Sequence, residues 1–269
     1  MSYAKPIQVF AVTGASGALG RAIVQTLAGP ANRHIVLVGR DQRTLEELAG
    51  EVAAGDSVLH VVSGADAAQP GAAAEAVVAK LLDVLAAVGG ERVGQLVLVH
   101  SAGTLSDLRK RADQYGNDEI AAYTTVNFVS FAVLAARFLE FAKDTGAERI
   151  GVVNISSLLA IQPFANWGLY AATRAGRDQL MRVVALEHAN DPRVKTLSYA
   201  PGPLVGDMQA SVRAEIADPA QRELYDRLHR EGKLVRPADT ARLMCDLVHA
   251  WEFESGAHVD VFDLVPPPA

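Results

Sequence analysis

Short, nearly all-apolar runs rich in β-branched residues alternate with longer segments of helical period almost to the end of the chain. This alternation narrows the available folds more than any other feature. The runs are Ile7 to Val12, Ile35 to Val38, Val58 to Val62, Leu96 to Val99, Ile150 to Ile155, Val194 to Ser198 and a last one near His258 to Val261. Strands that are apolar on both faces have to be covered on both faces, as in a parallel sheet between helical layers. Leu81, Val84, Leu85 and Val88, and again Leu180, Val183, Val184 and Leu186, recur at helical spacing, so sheet-covering helices are predicted there. The chain therefore reads as α/β, one doubly wound domain over residues 1–264 with about seven mostly parallel strands and helices on both faces. Residues 265–269, Val-Pro-Pro-Pro-Ala, read as a flexible tail. The stretch 203–236 breaks the rhythm with a charged helical pattern. It is expected to form a flap over a site at the C-terminal ends of the strands, where open α/β sheets bind ligands.

Half of the 269 residues are hydrophobic and 21% are charged, a balance that excludes a disordered chain. The formal charge of -6, from 31 acidic against 25 basic residues, leaves no basic footprint for a nucleic-acid partner. No apolar run approaches the length of a membrane span, the Ala-rich stretch 72–88 being broken by Glu75, Lys80 and Asp83, and no signal-peptide pattern opens the chain. Cys245 is the single cysteine and cannot form an internal disulfide, so a cytoplasmic location without membrane contact is expected. His34, His60, His100, His188, His229, His249 and His258 show no metal-ligand spacing, and no metal is expected.

After the first run the chain reads Thr13-Gly14-Ala15-Ser16-Gly17-Ala18-Leu19-Gly20 and enters Arg21-Ala22-Ile23-Val24, a helix start. Glycines allow a strand to turn sharply and let backbone amides approach a pyrophosphate, whose charge the helix N-terminus favours. This places a dinucleotide on Gly14, Ser16, Gly17, Ala18, Leu19 and Gly20 of a Rossmann-type fold. Twenty residues past Gly20 stand Arg40 and Asp41. An arginine there accommodates the 2′-phosphate of NADP(H), whereas a carboxylate holds the free ribose hydroxyl of NAD. Arg40 favours NADP(H), with Arg43 as a second phosphate contact; Asp41 in a shifted register is the competing ribose acid. Asp66 either caps the adenine or serves its own turn in Gly64-Ala65-Asp66.

Tyr170 and Arg174, four apart on a predicted helix, emerge from one face, and Ser157 ends the strand before it. With Asn127 these positions resemble the signature of the short-chain dehydrogenase/reductase family, a Ser at the fifth strand followed by Y-x-x-x-K and preceded by a helical Asn. Asn154-Ile155-Ser156-Ser157-Leu158, Gln162-Pro163-Phe164 with Trp167, Tyr199-Ala200-Pro201-Gly202-Pro203-Leu204, Asp207-Met208-Gln209, Gly232-Lys233-Leu234-Val235 and Ser255-Gly256-Ala257-His258-Val259-Asp260 resemble the sepiapterin reductase branch. The resemblance implies an NADPH-dependent carbonyl reductase acting on a pterin side chain or a related dicarbonyl, as a homodimer or homotetramer. It gives Tyr170 the role of acid and Ser157 that of hydrogen-bond donor. Arg174 becomes the cation beside phenol and nicotinamide ribose, and Asn127 holds a water chain behind it. A phenol of ordinary acidity needs such a cation to work near neutral pH. Ala102, Gly103, Pro201, Gly202 and Leu204 become cofactor contacts. Asp260 becomes the pterin anchor, its carboxylate able to accept two parallel N–H groups, and Leu158, Phe164, Trp167 and Met208 become pocket walls.

The chain departs from the family pattern at several positions. Arg174 replaces the lysine, and its planar fork neither occupies the place of an ammonium nor readily passes on a proton. Ala18 stands where a glycine is expected, His100-Ser101-Ala102-Gly103 keeps the small Ala-Gly pair without two preceding amides, and Gly206 replaces a threonine. These changes favour a rival of another class, a noncatalytic NADP-binding sensor or scaffold that has lost the catalytic lysine. On a separate, blander reading Arg174 pairs with Asp178 at i, i+4 and Tyr170 merely packs. Ser157, Tyr170, Asn127 and Asp260 favour the enzyme.

Overall fold

In the computed structural model, which describes residues 5–52, 55–89 and 92–265, all seven runs are strands. They are β1 (Ile7–Thr13), β2 (Arg33–Val38), β3 (Val58–Val62), β4 (Val93–His100), β5 (Ile150–Ile155), β6 (Val194–Ala200) and β7 (Ala257–Asp260). They form one sheet in the order β3-β2-β1-β4-β5-β6-β7, and every pairing is parallel. The last strand starts one residue earlier than expected, and Val261 already belongs to the next helix. Residues 266–269 of the expected tail lie outside the described residues.

The helices are α1 (Ala18–Leu27), α2 (Gln42–Val52), α3 (Pro70–Ala87), α4 (Asn117–Thr124), α5 (Ser130–Ala142), α6 (Gly168–Glu187), α7 (Asp207–Glu215), α8 (Pro219–Arg230), α9 (Pro237–Ala250) and α10 (Val261–Leu264). The two-residue period of the strands divides the core. Val9, Ala11, Leu96, Leu98 and Val152 pack with α3, α5 and α6, while Phe10, Val12, Val97, Val99 and Leu197 pack with α1, α2 and α9. The strand order reverses between β1 and β4, so a crevice opens where their C-terminal ends diverge.

Two expectations need correction. On α6, Val183 and Leu186 are exposed, and the buried face carries Thr173, Arg174, Arg177, Asp178, Met181 and Val184. Apolar spacing therefore misassigned half of this helix, because its sheet-facing side is rich in charge. A helical run long and apolar enough to cross a bilayer does exist by length and composition, Asn117–Ala142. Within the fold Phe131, Leu134, Ala135, Phe138 and Ala142 of this run pack into the core beside the sheet. A π turn at Thr125–Val129 joins its two helices and carries Asn127, which is buried.

The segment 203–236 rises from the sheet as α7 and α8. Its base is closed by a parallel bridge between Leu204 and Val235. Asp218 caps α8, accepting from the Gln221 N–H at 2.8 Å. Val212, Ile216 and Tyr225 of this segment join Leu108, Leu159, Trp167 and Tyr170 in a small core of their own, which seats the flap on the strand ends.

Candidate active site

A cleft of about 960 Å³ follows the crevice from β3 to the flap. Its walls include the sequence-predicted site residues except Asn127, Arg43 and the competing acid Asp41. At its inner edge Gly14 has φ +63, and a Cβ there would sit 2.9 Å from the Ala102 Cα, so the turn after β1 admits only glycine. Gly20 serves packing instead, a Cβ meeting the Gly14 carbonyl oxygen at 2.1 Å. Ser16, Gly17 and Ala18 are exposed, and Gly17 opens α1 without a side-chain cap. The helix thus begins with free amides pointing to solvent, a cradle that fits a pyrophosphate despite the missing middle glycine.

Arg40 lies at the far end of the cleft, exposed and without a partner among the described residues. Asp41 is committed locally, accepting from the Thr44 N–H at 2.7 Å and the Thr44 hydroxyl at 2.6 Å. These bonds lower its pKa. It caps α2 and does not line the cleft. Arg43 pairs with Glu47 at 2.7 Å and also stands outside. Asp66 lines the cleft while one of its oxygens accepts from the Ala68 N–H at 3.0 Å, a contact within its own turn.

Tyr170 and Arg174 are both buried on the floor. The Arg174 guanidinium lies 4.9 Å from the Tyr170 ring centroid and donates from Nη1 to the Ile155 carbonyl at 2.7 Å. The pairing with Asp178 does not form. Asp178 accepts from Asn154 Nδ2 at 3.0 Å and lies 2.6 Å from His258 Nδ1, all in the buried layer between α6 and the sheet. The Tyr170 hydroxyl has no hydrogen-bond partner among the described residues. Ser157 lies two residues beyond β5, where its Oγ accepts from the Leu159 N–H at 3.2 Å, which leaves its own O–H to donate.

Asn127 sits behind this floor with its side chain fully engaged. Oδ1 accepts from the Thr104 N–H at 2.8 Å, and Nδ2 donates to Thr104 Oγ1 at 3.0 Å and to the Tyr123 carbonyl at 3.1 Å. Its own carbonyl accepts from Arg177 Nε at 2.5 Å. A second guanidinium, that of Arg177, thus lies against Asn127.

At the outer end Asp260 closes β7 and caps α10, its Oδ1 accepting from the Phe262 N–H at 3.0 Å and its carboxylate also from the Asp263 N–H of a capping box. Leu158, Phe164, Trp167 and Met208 line the same end, and Trp167 meets Tyr170 edge-on with centroids 5.3 Å apart. Pro201, Gly202 and Leu204 form the wall below the flap, and Ala102 and Gly103 the wall after β4.

Sequence reading missed Arg177, Tyr225 and the Asp178–His258 pair. Arg177 is wholly buried, and burial, with Arg174 next in effect, holds its pKa well below the usual arginine value. Burial likewise pushes Tyr225 up to about 12 and raises Tyr123. His100 is held well below 6.5 by burial first and by Arg177 and Arg174 next. The i, i+3 and i, i+4 spacing of Arg174, Arg177 and Asp178 was the available signal, but solvated helix faces show the same spacing.

Residues 8–217 match the family described as short chain dehydrogenase. A sepiapterin reductase from Rattus norvegicus is 38% identical over 262 residues, covering 95% of this chain and 97% of its own. A benzil reductase ((S)-benzoin forming) from Bacillus cereus is 25% identical over 247 residues, covering 91% of this chain and 95% of its own. Among solved structures the KRED1-Pglu enzyme has a TM-score of 0.78 at 26% identity, covering 94% of this chain and all of that one. With the cradle, the buried Tyr170 and a match along most of its length, the chain belongs to the short-chain dehydrogenase family and is an oxidoreductase similar to sepiapterin reductases.

Proposed function

We propose that this chain is an NADPH-dependent carbonyl reductase that reduces a ketone of a pterin side chain or of a related vicinal dicarbonyl. One observation carries the reading: a buried tyrosine with an unengaged hydroxyl shares a single cleft with a glycine cradle, a serine donor and a carboxylate. A bound reduced nicotinamide supplies hydride to the carbonyl carbon. Ser157 donates its O–H to the carbonyl oxygen, and Tyr170 gives that oxygen its proton as negative charge builds there. Arg174 keeps a positive charge against the phenol ring. Arg40 receives the 2′-phosphate, which supports NADPH over NADH.

For the substrate, the Asp260 carboxylate accepts N–H groups of an amino-pyrimidine edge while Phe164, Trp167 and Met208 enclose a flat ring. The names of the rat and Bacillus cereus relatives support a pterin and an aromatic dicarbonyl respectively. Arg174 is the observation on the side of a noncatalytic NADP-binding protein, because one arm is held by the Ile155 carbonyl and a guanidinium does not relay protons.

The test follows NADPH absorbance with sepiapterin and with benzil. The native chain should turn over at least one of them, and Tyr170→Phe should lose turnover by roughly a thousandfold while binding NADPH within about twofold of native. Equal rates for the two proteins reject the assignment of Tyr170. A native chain that is silent while Arg174→Lys gains turnover establishes the noncatalytic reading instead.

A further inference from the structure

Arg177 is the largest side chain that is completely shielded from solvent, yet it forms no salt bridge with a described residue. The neighbouring carboxylate, Asp178, is spent on Asn154 and His258. Burying an unpaired cation is costly, and a hydrophobic side chain of similar volume fills such a place more favourably. An apolar group cannot, however, bridge two carbonyls on different elements. Arg177 does this: Nε donates to the Asn127 carbonyl of the π turn at 2.5 Å, while Nη2 and Nη1 reach the Ala102 carbonyl at 3.4 and 3.5 Å. The face of Phe131 carries the guanidinium, 5.0 Å from the ring centroid.

The loop that begins at Ala102 is gripped at Ala102 and at Thr104. Thr13 Oγ1 accepts from the Ala102 N–H at 3.2 Å, and Asn127 binds both the N–H and the hydroxyl of Thr104. Between them Gly103 makes the floor on which Arg174 rests, a Cβ at that position coming within 2.6 Å of Arg174 Nη2. Any shift of Ala102 therefore moves Gly103 and with it the cation beside Tyr170.

We infer that Arg177 is a positioning residue for the nicotinamide half of the cleft, its guanidinium pinning the 102–104 loop to the π turn and so fixing the seat of Arg174. The inference rests on the dinucleotide reading of the cleft. In the adenine half, Arg40 and Asp66 make no hydrogen bond to Arg177 or to Ala102 among the described residues.

Calorimetric titration with two ligands tests this. NADPH fills both halves, whereas adenosine 2′,5′-bisphosphate fills the adenine half alone. In Arg177→Met the dissociation constant for NADPH should rise roughly tenfold, the consequence of removing the guanidinium donors to the Asn127 and Ala102 carbonyls, while that for the bisphosphate stays within about twofold. Arg177→Lys keeps the charge without the fork and should lose most of the same affinity. Arg177→Gln serves the comparison if the methionine variant does not fold. Equal loss for both ligands shows a merely structural role, and unchanged NADPH binding in the folded variant overturns the inference outright. So does a lysine variant as tight as native. A native chain that binds neither ligand overturns the dinucleotide reading and this inference together. Tight native binding of both without turnover refutes only the proposed reaction.

Discussion

His100 offers a quantitative test of the buried charge beneath the cleft. It ends β4 opposite Thr13, its ring meets Phe131 edge-on at 5.0 Å, and its Nδ1 is buried without a partner. Burial, then Arg177 and Arg174, keep the imidazole neutral well below its ordinary 6.5. In the unfolded chain the same ring takes up a proton near pH 6.5. At acid pH the unfolded state thus binds more protons, so stability is complete above that value and falls as the pH drops below it. For one site that stays neutral in the folded chain, the loss between pH 7 and pH 5 is about 2 kcal/mol. With a urea m-value of about 3 kcal/mol per M, the midpoint should fall about 0.7 M further in the native chain than in His100→Asn. The asparagine variant carries no titrating group at this position, and the Nδ1 it removes has no described partner. Urea melts of both proteins at pH 7 and pH 5 give the answer, read as the difference between the two drops. Identical drops would mean that His100 protonates freely in the folded chain and that the field assigned to the two arginines is wrong.

Arg40→Ala should weaken NADPH by roughly tenfold or more and NADH by less than about twofold in fluorescence titrations, because a 2′-phosphate is the only group its free guanidinium distinguishes. An equal loss for both cofactors would remove Arg40 from phosphate recognition. Asp260→Asn keeps an N-cap for α10, since asparagine caps as well as aspartate. It should raise KM for sepiapterin roughly tenfold and leave KM for benzil unchanged in initial-rate assays. A parallel rise for both substrates would mean that the carboxylate shapes the pocket rather than reading a pterin edge.

The strands were legible because a two-residue period and a β-branched composition act over neighbouring residues, and a run such as Val194 to Ser198 has few other places to go. The glycine turn was legible for the same reason: φ +63 at Gly14 is a local demand with few solutions. The tyrosine and its neighbours were found through spacing on one helix, and the cleft that collects them follows from strand order. What the chain alone did not disclose is where its long charged side chains end. Arg174 looked free to meet Asp178 one turn away, yet it turns to the Ile155 carbonyl while Asp178 is taken by His258 from a strand eighty residues on. Val183 and Leu186 looked like core and face solvent, and Arg177, which sequence reading passed over, is wholly buried. A side chain's apolar or β-forming character belongs to the residue itself, and so is written in the sequence. The partner of a buried charge is whatever carbonyl, ring or carboxylate distant segments bring within about 3 Å, and only the assembled fold decides that.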